Sequence, residues 1–400
     1  MMRRSYLVYA SAFAVILATT ACGKSDEGDT ASRPTIDISK LNPGNYPTAP
    51  IDVEKTRVDD SAAAREAIRI GDAVPLAMEV DSRFIYEMSR YFSRIVTPNN
   101  PPYFDDTGVE GKDFDNVAPG LVAGWYTQGR RRAELGAGRG IEMIVVRFST
   151  ADQAAAAARA LADRTKGESY TINGHPGAIT KYSLGTVMGD AAMSSYLAHR
   201  DMLLYARIDD PVSMPFDPAA QADLVKRVFD KQIEMLQSYS PTPLDKISQL
   251  PLDVDGMLSR TLPLDSKSSG ASAVAVYPRH AALHPEHRPD LSRSAFEDAG
   301  VDYVSAAQTF VLRTQDAASA GRLIAAFEAQ LDMDNYNKID SPPNLPTARC
   351  YNAKDGIDSP SDYPPICWVA NGRFVAEVGG RNVQDLHQRT AAQYILLSKS

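Results

Sequence analysis

The chain has 400 residues, 44% of them hydrophobic and 23% charged, with a formal net charge of −8. That composition excludes a fibre, a multi-span membrane protein and a wholly disordered chain, and an acidic balance without clustered Lys and Arg argues against a nucleic-acid partner. A chain of this length exceeds what one hydrophobic core usually serves, so two domains are expected.

The first element is an export signal over residues 1–21. Arg3 and Arg4 form a positive start, the apolar run Tyr6 to Ala18 follows, and the small residues Thr19, Thr20 and Ala21 precede Cys22. The run is shorter than the roughly 20 apolar residues a spanning helix needs, and the layout is that of a secretory signal peptide. A Cys directly after such a site, followed by Gly23, Lys24 and Ser25, resembles the lipobox of bacterial lipoproteins. The resemblance implies that the Cys22 sulfur carries diacylglycerol and that the mature chain starts there. Thr19 stands where that motif usually has an aliphatic residue, and ordinary secretion is the alternative. The cysteine count supports the lipid. Only Cys22, Cys350 and Cys367 exist, and acylation of Cys22 leaves one pair. Without its leader the chain has 40 basic and 50 acidic side chains. An anionic membrane surface repels such a body, so the lipid must hold it.

Residues 22–50 read as a flexible tether, rich in Gly, Ser, Thr, Asp and Pro and unable to bury enough apolar surface to offset their ordering entropy. Leu41 to Pro47 (LNPGNYP) is the part of it with a chance of docking on the body.

The remainder reads as an imperfect duplication: an N-terminal α+β lobe over 51–243 and a C-terminal one over 244–400, each an antiparallel sheet covered by helices on one face. In the first half the strand pattern Ile141 to Phe148 leads through Ser149-Thr150-Ala151-Asp152 into an Ala-rich helix; in the second, Ala307 to Leu312 leads through Arg313-Thr314-Gln315-Asp316 into a helix with the stripe Ala320, Ile324, Phe327 and Leu331. Each half continues with a short strand (Ala178 to Leu184; Thr347 to Ala353) and a hairpin (Met193 to Ala198 with Met202 to Ile208; Ile366 to Ala370 with Arg373 to Val378). Asn371-Gly372 is a strong hairpin turn and His199-Arg200-Asp201 a looser one. Each half closes with a helix. The first is capped by Asp217-Pro218 and striped by Val225, Phe229, Ile233 and Leu236; the last is striped by Leu386, Thr390, Tyr394 and Leu397. The joint is Ser240-Pro241-Thr242-Pro243. Cys350 and Cys367 fall in adjacent strands of this scheme, where antiparallel neighbours bring Cα atoms within bridging distance, and export permits a structural disulfide.

Chemistry is less legible. No nucleophile elbow, phosphate loop, zinc-protease helix or EF-hand loop is present, so no catalytic residue and no cofactor is assigned. Gly136 to Gly140 precedes a strand instead of joining strand to helix, and reads as a flexible approach. His280, His284 and His287 are the weak metal candidates: a four-residue separation suits two ligands on a helix, but Pro285 and Pro289 interrupt it, and a solvated or core-edge loop is expected. Asp105, Asp106, Glu110, Asp113 and Asp115 form an acidic loop whose spacing fits no standard calcium site. Arg130, Arg131 and Arg132 read as surface. The groove between the lobes is the default ligand site, because pockets favour domain interfaces.

The phrases LNPGNYPTAP, AVPLAMEVD (Ala73 to Asp81), AVYPRHAALH and FEDAGVD, with the lipobox-like start, resemble an uncharacterised two-domain lipoprotein family of mycolic-acid-producing actinobacteria. The resemblance implies an envelope lipoprotein with N- and C-terminal domains, and brings no catalytic residues. The expected protein is lipid-anchored on the extracytoplasmic face of the cell membrane, non-enzymatic, with a small-molecule, lipid or protein ligand. An envelope hydrolase with an unrecognised site is the alternative.

Overall fold

The computed structural model describes residues 35–87, 94–134, 136–184, 191–264, 274–356 and 363–399. The expected signal segment, Cys22 and the first part of the expected tether lie outside them. The first half contains α1 (Ser61–Gly71), α2 (Ala77–Val80), β1 (Ile95–Val96), α3 (Phe114–Val117), β2 (Leu121–Arg130), β3 (Gly140–Phe148), α4 (Ala151–Ala162), β4 (Glu168–Tyr170), β5 (Ile179–Leu184), β6 (Ala191–His199), β7 (Met202–Asp210) and α5 (Pro218–Leu236). The second contains β8 (Ala275–Pro278), α6 (Arg279–Leu283), α7 (Pro289–Ala299), β9 (Tyr303–Ala306), β10 (Phe310–Arg313), α8 (Ala317–Gln330), β11 (Tyr336–Ile339), β12 (Arg349–Ala353), β13 (Ile366–Asn371), β14 (Phe374–Gly379) and α9 (Val383–Ser398).

Both sheets are antiparallel, and they share one topology. The first runs β1-β2-β3-β7-β6-β5-β4; the second, taken from β8, runs β8-β9-β10-β14-β13-β12-β11, the same permutation. A helix follows the third strand and another the seventh in both. The likeness reaches single positions. Arg147 pairs with Met202 and Arg313 with Phe374, each the first residue after a two-residue hairpin turn. The first residue of each turn, Arg200 and Gly372, has a φ of 55°. Gly accepts that conformation without strain, whereas Arg200 carries a side chain against it. Helix caps exchange chemistry while keeping place: Thr150 accepts from the Gln153 N–H in α4, and Asp316 from the Ser319 N–H in α8.

Three expectations need correction. Helices cover both faces of each sheet, not one. Ile144, Val146, Phe148 and Tyr205 pack with the alanines of α4, while Ile141, Met143, Val145 and Leu204 pack with Val225 and Phe229 of α5. In the second sheet Val375 and Ala376, neighbours on opposite faces, are both fully buried. Second, Ala307 is not in a strand. Its N–H bonds to the Thr309 carbonyl in a turn between β9 and β10, so one expected strand is a hairpin. Third, part of the stretch 22–50 expected as a flexible tether lies on the body, and it includes the Leu41 to Pro47 segment expected to be able to dock. Leu41 is buried, the Asn344 amide donates to the Lys40 carbonyl at 3.0 Å, the Tyr46 hydroxyl bonds to Asp385, and Arg389 donates to Tyr46 at 2.9 Å. The cause is α9, which is buried on every side from Thr390 to Leu397 and needs cover beyond its sheet: Tyr46 packs with Ala392, Leu396 and Leu262.

Cys350 and Cys367 face each other across β12 and β13 and form the disulfide, with Cα atoms 4.1 Å apart and a sequence separation of 17. Closing a loop of that length restricts the unfolded chain, so the Cys350→Ser/Cys367→Ser variant is expected to lose about 3 kcal/mol in chemical denaturation. An unchanged midpoint would remove the bridge from the stability argument.

Candidate functional site

The histidine cluster lies where the two halves meet. Gly71 ends α1 against β2 so closely that a Cβ there would collide with the Trp125 indole. The His284 ring fits beside this contact, edge-on to Trp125, with Nδ1 2.8 Å from the Thr127 hydroxyl and Nε2 3.2 Å from the Gly71 carbonyl oxygen. Burial holds its pKa well below the ordinary imidazole value. His280 reaches Glu79 at 3.0 Å, and Arg293 reaches the same carboxylate at 2.6 Å. His287 exchanges bonds with Glu87: its carbonyl accepts the Glu87 N–H at 3.0 Å, and its Nδ1 lies 3.1 Å from the Glu87 carbonyl. The three rings therefore bond to protein groups on the facing half: His284 is fully buried, His280 is half-buried, and His287 is exposed in the loop between α6 and α7, as expected of a solvated or core-edge loop. Among the described residues no group of three His, Cys, Asp or Glu side chains is placed to hold a metal ion. Leu76 joins the core of the second half and Ala275 and Ala281 that of the first, so the expected inter-lobe groove is a packed seam along these residues.

The acidic loop is not one site either. Asp106 turns inward to Arg207 and accepts from the Ser194 hydroxyl, Glu110 pairs with Lys112 at 2.8 Å, and Asp113 and Asp115 are exposed. The arginine run also separates. Arg131 pairs with Asp81 at 3.1 Å and lies over the Phe84 ring, Arg132 is exposed, and Arg130 lines a cavity.

That cavity, of about 410 Å³, is the candidate site. Antiparallel register builds its floor, because residues paired across strands share a face. One row across the sheet is Arg130, Gly140, Asp209, Ala192 and Ser183, and all five line the cavity. The next row inward is Gln128, Glu142, Arg207 and Ser194. The floor is a trough because its middle lacks side chains: a Cβ on Gly140 would find its nearest neighbours, Asp209 and Arg130, at 3.8 and 3.9 Å, ordinary contact distances. Gly136 and Gly138 of the connection between β2 and β3 line one side. Asp210, beside the floor, accepts from Arg139 at 2.7 Å and from the Ser213 N–H at 3.1 Å, which fixes the turn leaving β7.

Electrostatics set the inner row apart. Arg207 donates through Nε to Asp209 at 2.9 Å and also pairs with Asp106. Burial pushes the Glu142 carboxyl up to about 8, the Asp105 charge adds to the push, and Arg207 opposes it. The hydrogen bonds agree with a protonated acid. Tyr126 has one hydroxyl hydrogen and lies 2.9 Å from the Gln128 carbonyl oxygen and 3.3 Å from Glu142 Oε2. When that hydrogen goes to Gln128, Glu142 completes the second bond by donating its own. Glu142 Oε1 is buried without a partner among the described residues. Burial also raises Asp209 and lowers Arg130. The trough thus offers fixed donors and acceptors on a rigid β floor, with an acid held neutral behind them.

Sequence reasoning missed Glu142, Arg207 and Asp209. A signal existed: each is a charge inside a strand otherwise made of residues buried on both faces. The Gly-rich stretch before β3, read as a connector, also shapes the cavity wall. Among the described residues the second half has no counterpart of this charge pair, and its own opening, of about 620 Å³, lies elsewhere, at Lys338, Ile339, Asp340, Val383 and His387. The positions matching Glu142 and Arg207 by register are Gln308, outside any strand, and Gly379, because β10 and β14 are shorter than β3 and β7.

Two family models match the chain in succession: the N-terminal part of a domain of unknown function, DUF7373, over residues 53–252, and its C-terminal part over residues 257–400. Among solved structures, the extracellular domain of PknH from Mycobacterium tuberculosis is similar over 40% of this chain and 93% of that domain, with 15% identity and a TM-score of 0.27. Likeness at that score carries neither fold nor function across. No curated protein matches the chain.

Proposed function

The chain belongs to this two-domain family of unknown function, and on that premise we propose that it is a lipid-anchored actinobacterial envelope lipoprotein that binds a small ligand in the trough of its first lobe. One observation carries the binding reading: the rows of charges across β2, β3 and β7 line a cavity of about 410 Å³ in the first lobe, whereas among the described residues the second lobe has Gln308 and Gly379 at the positions of Glu142 and Arg207, and its own opening, about 620 Å³, lies elsewhere, at Lys338, Asp340 and His387. The scaffold does not need that pair of charges to fold, since the second lobe has the same topology with Gln308 and Gly379 in their places. The anchor reading rests on the leader and on Cys22, with the other two cysteines joined to each other. Location on the extracytoplasmic face of the cell membrane follows from the same leader, and the acidic body suits no nucleic acid.

The anchor is tested by labelling with a fatty acid in the native host. Label is expected on the wild type and absent from Cys22→Ala; label that survives the substitution refutes it. A competing reading, an envelope hydrolase, is favoured by one observation, the protonated Glu142. Among the described residues its side chain bonds to Tyr126, and its row across the sheet, Gln128, Arg207 and Ser194, holds no histidine to serve as a base, so binding is the better reading. Turnover of an ester, glycan or peptide that Glu142→Gln removes would reverse that order.

A further inference from the structure

The outer row of the trough has hydrogen-bonding capacity that the fold leaves unused. Arg130 makes its strand bonds through the backbone, and its guanidinium has no ion-pair partner among the described residues. Asp209 gives Oδ1 to Arg207, which leaves Oδ2 as a spare acceptor. Gly140 stands between them on the intervening strand, so two inter-strand spacings, about 10 Å, separate the two backbones across an unfilled gap. The other charges around the cavity are matched: Arg207 with Asp106 and Asp209, and Arg139 with Asp210. A ligand with a single excess charge would meet one favourable and one repulsive group. Among the described residues the lining, with Gly136, Gly138, Gly140, Ala191 and Ala192, has no aromatic surface on which a sugar ring would stack.

Resting on the binding reading above, we infer that the trough takes a small zwitterion, a free amino acid or dipeptide, with its carboxylate on Arg130, its ammonium on Asp209 and its backbone over Gly140. Guanidinium and carboxylate groups form paired, charge-assisted hydrogen bonds, and the ammonium finds the spare oxygen of a carboxylate already oriented by Arg207. Both ends of the ligand are needed.

The test is calorimetric titration of the full mature protein in detergent with alanine and alanyl-alanine. N-acetyl-alanyl-alanine and alanyl-alanine amide each remove one charge; spermidine and inorganic phosphate serve as cation-only and anion-only controls. Binding of a zwitterion is expected, with a loss of about tenfold or more on capping either end, and about tenfold in Arg130→Gln and in Asp209→Asn. Thermal unfolding of both variants confirms that they fold, and Gly140→Val, which fills the gap between Asp209 and Arg130 while keeping both charges, should abolish binding. Binding that tolerates a cap, binding of spermidine or phosphate alone, or no binding of any zwitterion overturns the inference. In those cases, native mass spectrometry separates the two levels. A co-purifying ligand lost in Gly140→Val would leave the binding reading standing without its zwitterion, and absence of any ligand would remove both.

Discussion

Glu66→Ala is expected to destabilise the protein by about 3–5 kcal/mol, the range for removing one partner of a buried ion pair. Glu66 is fully buried on α1 and accepts from Arg147 at 2.8 Å, Arg69 at 2.8 Å, the Thr242 N–H at 3.0 Å, the Thr242 hydroxyl at 2.7 Å and the Tyr239 hydroxyl. Burial alone would raise its pKa, but the bonds from Tyr239 and Thr242 and the charge of Arg69 hold it below the ordinary value. The carboxylate thus ties the start of the first lobe, its third strand and the Pro-rich joint at one point. Truncation leaves Arg147, itself 5% exposed, buried against one remaining carboxylate, Asp201 at 3.0 Å. The cost is therefore mostly a buried guanidinium stripped of one of its two carboxylates and three orphaned neutral donors, the Thr242 N–H and hydroxyl and the Tyr239 hydroxyl. Urea unfolding should show the full loss in Glu66→Ala, and Glu66→Ala/Arg147→Met should recover part of it. A loss below about 1 kcal/mol in the single variant would show that the network does not hold the joint.

Glu142→Gln is expected to act in the opposite direction. Unfolded, Glu142 ionises near its ordinary value of 4.5, whereas in the fold it does so near 8. Between those values the unfolded state binds fewer protons than the folded state, so stability falls as pH rises, and above about 8 the penalty is constant. Glutamine preserves the neutral shape and removes the penalty. A gain on the order of 2 kcal/mol at pH 7 is expected, below the full linkage value because part of the side chain is solvated, and no gain below pH 4. Thermal unfolding across pH 4 to 9 checks the sign. A variant as sensitive to pH as the wild type would place the proton elsewhere. A carboxyl whose burial weakens the fold points to a role in the trough, since functional sites are where such groups occur.

The sequence signalled the architecture well because duplication repeats its cues. The run Ile141 to Phe148, the Asp217-Pro218 cap, the two hairpins and Cys350 with Cys367 each point to local structure without help from distant residues. The short edge strands β1, β4, β8 and β11 were not legible, since two to four residues carry no period, and β2 was missed because Gly124 and Gly129 break its pattern. The seam was illegible for another reason. His284 and Trp125 are separated by 159 positions, and nothing local says that one ring packs on the other. Pro285 and Pro289 correctly argued against a metal-binding helix, yet could not say that the imidazoles bond to Thr127, Gly71 and Glu79. The trough required register: Arg130, Gly140 and Asp209 become neighbours only once β2, β3 and β7 are aligned.

The central claim is that the first-lobe trough holds a ligand while the seam only joins the lobes. It is tested most directly by native mass spectrometry of mature protein extracted from membranes, wild type beside Gly140→Val. The account predicts a bound small molecule on the wild type and none on the variant, with both folded. The same mass retained by Gly140→Val, or a wild type that carries nothing, would contradict it.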